Sequence, residues 1–196
     1  MLGRSCILYL IVLCPLLGVG TAEFARAQPK AIEPALSGAL LIQWTSEDRF
    51  IFVPDPASPL RFRTSRNREI TPGRMYTDGG SIPRLFWSAK GFSPWGYGPA
   101  YVIHDWLFHQ HKCKLDKAPN TFTMAEANEA LDEAIGVLMA GRKVSNNQRA
   151  RNLIKWAVDN FAQTAWNEPC DDLPPSPAPG ALPEGRAPVT VGRISF

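Results

Sequence analysis

The sequence predicts an α+β fold, a small antiparallel β-sheet followed by three α-helices, with a disordered proline-rich C-terminal tail. Three observations carry this expectation. Short β-branched and aromatic segments separated by prolines fill the first half. Two Ser/Thr-x-x-Glu/Gln sequences open runs of helical apolar spacing in the second half. Seven of the 28 residues from Pro169 to Phe196 are proline, too many for a continuous ladder of backbone hydrogen bonds.

Residues 1–27 read as a signal peptide. Arg4 provides a basic start, and Ile7 to Val19 is apolar but too short to span a bilayer comfortably. Ala25-Arg26-Ala27 has the small-x-small pattern of a cleavage site, with Gly20-Thr21-Ala22 as second choice. An uncleaved anchor is the alternative. No later segment is apolar enough to cross a membrane, so the expected location is the periplasm or the extracellular space. Residues 28–168 then form a single α+β domain, and residues 169–196 the tail.

Within the domain, Leu40-Leu41-Ile42-Gln43-Trp44 and Phe50-Ile51-Phe52-Val53 read as strands joined by a turn at Ser46-Glu47-Asp48. Arg61-Phe62-Arg63 alternates as one face of a strand should, and Arg74-Met75-Tyr76 makes another short strand. Pro99 suits the first position of a helix running to about His111. Thr123-Met124-Ala125-Glu126 is a capping box, followed by an apolar face of Met124, Ala127, Leu131, Ala134, Ile135 and Leu138 that ends at Gly141. Ser145-Asn146-Asn147-Gln148 reads as a second capping box. It precedes a helix with Leu153, Ala157, Phe161 and Ala165 on one side.

The joint between the second and third helices is short, which makes them antiparallel. If the first two are antiparallel as well, the first and third helices end together, so Cys113 and Cys170 fall at one end of the bundle. They are the cysteines left after signal cleavage, in an oxidising compartment, and are expected to pair.

The chain carries 21 basic and 18 acidic residues, a net charge of +3. That is too mild for charge-driven nucleic-acid binding, and no groove-reading helix, zinc module or aromatic platform supports it. A basic run, Arg61, Arg63, Arg66, Arg68 and Arg74, contains Glu69 as its one acid. It suits either an anionic envelope lipid or cell-wall polymer, or a solvated strand face. The chain is expected to be monomeric.

Two segments carry chemistry. One is Thr77-Asp78-Gly79-Gly80-Ser81-Ile82-Pro83-Arg84, followed by Phe86-Trp87; the other is His104-Asp105-Trp106-Leu107-Phe108. Together they resemble a phage-associated and bacterial family, domain of unknown function 1353. Its signature is Thr-Asp-(Gly or Leu)-small-Ser-Ile-Pro-Arg, then His-Asp-x-Leu-(Tyr or Phe) about twenty residues on. The resemblance spans roughly Phe50 to Leu138 and brings no established activity. It implies an aspartate on the following helix, where this chain has Asn128. That replacement removes a charge partner or ligand from the implied site.

By helical spacing His104 faces inward. Asp105 lies about 100° further round, one turn from Tyr101 and His109. A histidine can move protons near neutral pH, and a carboxylate can ligate a hard cation. The expected catalytic pair is therefore His104 and Asp105. Asp78 and Asp105 are the candidate ligands of one divalent cation, the single cofactor the pattern suggests. Ser81, Arg84 and Asn128 are candidate substrate-binding residues. Asn128 sits on the apolar side of its helix and needs a partner, with His104 or Asp105 as candidates. Bland roles stand beside these: Asp78 suits a turn, and Arg84 suits an ion pair with Asp105 or Asp78. His104 and His111 share a face but lie about 10 Å apart along the axis, too far to hold one zinc. Two functions fit: an exported hydrolase acting on a cell-envelope component, or a non-catalytic envelope or phage-derived interaction protein whose His-Asp motif is a structural polar staple.

Overall fold

The computed structural model describes residues 31–44, 50–77, 95–117, 121–170 and 189–196. The predicted signal peptide and the turn at Ser46-Glu47-Asp48 lie outside them. Residues Ala31–Phe196 make one compact unit. Its order is β1 (Ala35–Ser37), β2 (Ala39–Trp44), β3 (Phe50–Phe52), β4 (Arg61–Arg63), β5 (Glu69–Ile70), β6 (Met75–Thr77), α1 (Gly98–Lys112), α2 (Met124–Ala140), α3 (Gln148–Trp166) and β7 (Val189–Ser195). The α+β class is therefore as expected.

The strands form two antiparallel sheets rather than one. The order is β1-β4-β5 in one and β6-β3-β2-β7 in the other. Gly38 separates β1 from β2 and has φ +99°; a Cβ there would stand 2.1 Å from the Pro59 carbonyl oxygen. Only glycine permits both this backbone angle and this approach. The strands β4 and β5 are joined by a tight turn in which Asn67 adopts φ 59° and Thr64 accepts from the Arg68 amide through Oγ1.

The end of the chain departs from the sequence expectation. Where composition predicts a tail throughout the segment after Glu168, Val189–Ser195 pairs with β2. Its residues follow the last proline and are rich in β-branched types, so they can donate to a ladder that the preceding prolines cannot. The register slips between Ile42 and Gln43, opposite Gly192 and Thr190, as at a β-bulge.

Helix α1 starts at Gly98 with proline in its first turn and no side-chain cap. The capping box of α2 is present in full, with Thr123 accepting from the Glu126 amide and Glu126 accepting from the Thr123 amide. That backbone bond is the main cause that holds the Glu126 carboxyl below its ordinary pKa. The cap of α3 is Asn147, not Ser145: its side chain accepts from the Ala150 amide at 3.1 Å. The buried stripe of α3 is Ala150, Ile154, Ala157, Val158 and Trp166. Phe161, expected inward, is 59% exposed and packs edge-on against Trp156. The neighbouring helices cover the Ile154–Val158 side and leave Phe161 at the margin.

The core lies between the strands and the helices. Phe52, Leu60, Phe62 and Met75 meet Val102, Ile103, Leu107, Leu131, Ile135 and Leu138 in one apolar cluster. On β4, Arg61 and Arg63 alternate outward and are exposed, as on a solvated strand face, while the arginines of the β4–β5 turn are engaged. Arg66 pairs with Glu126 and Glu129, Arg68 pairs with Glu126 and bonds the Thr121 carbonyl, and the turn residue Ser65 bonds Glu133. Helix α2 thus supplies the carboxylates that receive Arg66 and Arg68. Arg151 grips Asp132 with two hydrogen bonds of 2.7 Å, locking α3 to α2.

At one end of the bundle, Cys113 and Cys170 form a disulfide. The same end carries a Lys112–Glu168 pair at 3.1 Å and a His111–Trp166 stack with centroids 3.9 Å apart. The ends of α1 and α3 therefore meet, as the antiparallel argument requires. The bridge closes a loop with a sequence separation of 57. In the chain-entropy model a loop of that size is worth roughly 4 kcal/mol. Replacing both cysteines by alanine is expected to lower the unfolding free energy by up to about that amount, read by urea denaturation of oxidised protein. Unchanged stability would show that the bridge does not restrain the unfolded chain.

Candidate functional site

His104 lies in the first half of α1, on the side turned to the other helices, and is 4% exposed. Its immediate neighbours on that face, Ala100, Ile103 and Leu107, are apolar, so the imidazole has left water almost entirely. Burial is the dominant effect on it and lowers its pKa from 6.5 to about 4; the Asn128 hydrogen bond opposes that shift. The ring is neutral at physiological pH.

Its partner is Asn128 on α2, itself 1% exposed. His104 Nε2 lies 2.9 Å from Asn128 Oδ1. The other end of that amide, Nδ2, donates to Asp159 Oδ1 on α3 at 3.1 Å. Because the amide nitrogen is committed to a carboxylate, its oxygen faces the histidine. The imidazole therefore donates through Nε2 and is unprotonated at Nδ1. Asp159 is in turn paired with Lys155, one turn earlier on the same helix. The chain of contacts runs from the core of α1 through α2 to the surface of α3.

Asp105, the other half of the motif, points elsewhere. It is half-buried, and Thr77 Oγ1 donates to its Oδ2 at 2.6 Å. Thr77 is the last residue of β6 and the first of the Thr77–Arg84 motif, so this bond joins the two motifs the sequence singled out. One turn back, Tyr101 is 2% exposed, and its hydroxyl has no hydrogen-bond partner among the described residues. Burial, then the charges of Tyr97 and Asp105, push that phenol well above its ordinary pKa.

The structure thus brings His104 to Asn128 and Asp105 to Thr77, and separates the two halves of the His-Asp pair. Asp78, Ser81 and Arg84 lie outside the described residues. Among the described residues no three His, Cys, Asp or Glu side chains converge as a metal site. Of the two expected ligands, Asp105 lies among the described residues and Asp78 does not. Sequence reasoning missed Asp159, which no local pattern marks, and the Tyr101 hydroxyl, which has no partner among the described residues. The position of Tyr101 one turn before Asp105 was the available hint. His111 is exposed and His109 half-buried, stacked on Trp106 with its Nδ1 3.5 Å from Cys113 Sγ.

A buried neutral histidine makes stability depend on pH. Below pH 6.5 the unfolded chain takes up a proton that the folded chain refuses until about pH 4. Stability therefore falls as pH drops through that window, by about 3 kcal/mol in full. His104→Gln, which keeps a donor toward Asn128, is expected to flatten that part of the profile. Urea unfolding of both proteins at about pH 7 and about pH 5 measures it; parallel profiles would refute the assignment. Asn128→Ala strands the imidazole N–H and is expected to destabilise by about 2 kcal/mol, read in the same assay.

No helix among the described residues is long and apolar enough to cross a membrane. No curated protein and no solved structure matches the chain significantly. A family model described as protein of unknown function (DUF1353) matches residues 57–157. That span holds the β4–β5 arginines, both motifs, the His104–Asn128 pair and most of the helical core, and the chain belongs to this family.

Proposed function

We propose that this is an exported, non-catalytic interaction protein of the cell envelope, in which the His-Asp motif is a structural polar staple. The observation that carries the reading is the state of His104. It is 4% exposed, neutral, and bound through Nε2 to Asn128. A general base works best with a pKa near the working pH. An imidazole held to about 4 is a weak proton acceptor at neutrality. Asp105 has a matching role on the outer side of α1, tying β6 to the helix through Thr77. Support for export comes from Arg4, the apolar run Ile7 to Val19 and Ala25-Arg26-Ala27, and from a disulfide that suits an oxidising compartment.

A second reading is a hydrolase acting on an envelope component, with His104 as base and Asp78 and Asp105 holding one divalent cation. One observation favours it: the Thr77–Asp105 bond places the start of the first motif beside the second. It requires both carboxylates to serve a cation and His104 to work through Nδ1.

The two readings separate by ligand removal. Under the staple reading, treatment with a chelator leaves the unfolding midpoint unchanged, and Asp105→Asn shifts stability alone. A fall in the midpoint on chelation, restored by adding back a divalent cation and absent in Asp105→Asn, would overturn the staple reading.

A further inference from the structure

On the side of α1 away from His104 lies a cavity of about 360 Å³, lined by Glu69, Ile70, Thr71, Trp106, Gln110 and Phe122. Trp106 and Gln110 fall about 200° and 240° round the helix from His104, so this cavity is separate from the staple. Its volume is in the range that takes a small organic ligand. We infer that it is a binding site for a neutral sugar ring of an envelope glycan.

The lining sets the chemistry. Trp106 provides the aromatic wall against which the C–H face of a pyranose packs, and the buried Phe122, covered by Arg68, backs it. Glu69, Thr71 and Gln110 offer a carboxylate, a hydroxyl and an amide, a mixture of donors and acceptors that hydroxyl groups satisfy. The Gln110 side chain is half-buried and makes no hydrogen bond among the described residues. Glu69 is held loosely, by Thr71 Oγ1 at 3.4 Å and Arg61 at 4.0 Å.

Charge argues for a neutral ligand. Among the described residues the lining has one charged group, Glu69, which disfavours an anion. Arg61 beside Glu69, and Arg68, whose guanidinium lies 3.4 Å above the Phe122 ring, offset that charge, so neither sign of ligand is favoured. The aromatic wall is also held in place. A Cβ on Gly73 would come within 2.7 Å of the Trp106 six-membered ring, and His109 stacks against the indole at 5.6 Å. Gly73 is therefore a positioning residue: its missing side chain lets the indole sit where it lines the cavity.

The proposal rests on the interaction-protein reading for its source of glycan, and the two fail separately. The test is titration of the full-length mature protein with a neutral chitooligosaccharide, a neutral glucose oligosaccharide, an anionic oligosaccharide and choline, followed by NMR of indole and side-chain amide protons. Saturable shifts of the Trp106 indole and Gln110 amide are expected with a neutral oligosaccharide and not with the charged probes. Gln110→Ala, at a half-exposed helical position, is expected to weaken binding about 5-fold. Gly73→Ala is expected to weaken it while leaving the fold signals intact. His104→Gln is expected to leave affinity unchanged. No shift with either neutral oligosaccharide, stronger binding of a charged probe, or affinity indifferent to Gln110→Ala overturns the inference. None of these results bears on the chelation test of the staple.

Discussion

The hydrogen bond between His104 and Asn128 sets the register of the helical half. Both groups are buried among apolar side chains, where an unpaired imidazole or amide is costly. Each is satisfied only if α1 and α2 present these two positions to one another. The amide has a second valence to fill, and Asp159 on α3 fills it. Three helices are thereby tied at one depth by two bonds. An aspartate at position 128 would bring a buried charge to the imidazole. Asparagine brings a neutral partner with a donor to spare, so the histidine stays neutral and the link extends to the surface.

The sheets are fastened to this bundle by charge and by a cap. The β4–β5 turn carries arginines that the carboxylates of α2 receive, and Glu126 serves both the arginines and the capping box of its own helix. These exposed and half-exposed pairs contribute little individually. Their value is directional: they orient a short hairpin against one helix. On the far side, Thr77 anchors β6 to Asp105. The disulfide then joins the ends of α1 and α3 beyond the last helical turn. Thr77, His104 and Asp105 of the two motifs thus each fasten one element to another.

Much of the helical half was legible because its signals are local. A capping box needs four residues, and an apolar stripe needs three or four turns. The bounds of α2 and the inward turn of His104 and Asn128 follow from these alone. The cysteine pairing followed from loop length and helix order, which are nearly local. The start of α3 was misplaced by two residues because Ser145 and Asn147 are both good caps, and only the realised turn selects between them. Phe161 was misplaced for a different reason. Periodicity says which face is apolar; the width of the neighbouring helices says how much of it is covered. The terminal strand was obscured by the prolines before it, since composition averaged over the segment hides a short β-branched run whose partner is more than a hundred residues away.

By itself the sequence determined the element types, the helix ends with unambiguous caps, the family, and the fact that Asn128 needed a partner. Those are consequences of backbone propensity, periodicity and the hydrogen-bonding capacity of single side chains. The tertiary structure alone decided who the partners are. It committed His104 to Asn128, and Asn128 to Asp159. It turned Asp105 away toward Thr77, gave Arg66 and Arg68 to α2, and opened a cavity beside Trp106 on the opposite face. Adjacent residues on a helix diverge by about 100°, so two neighbours in the chain end in two different environments, and only the packed fold states what each environment contains.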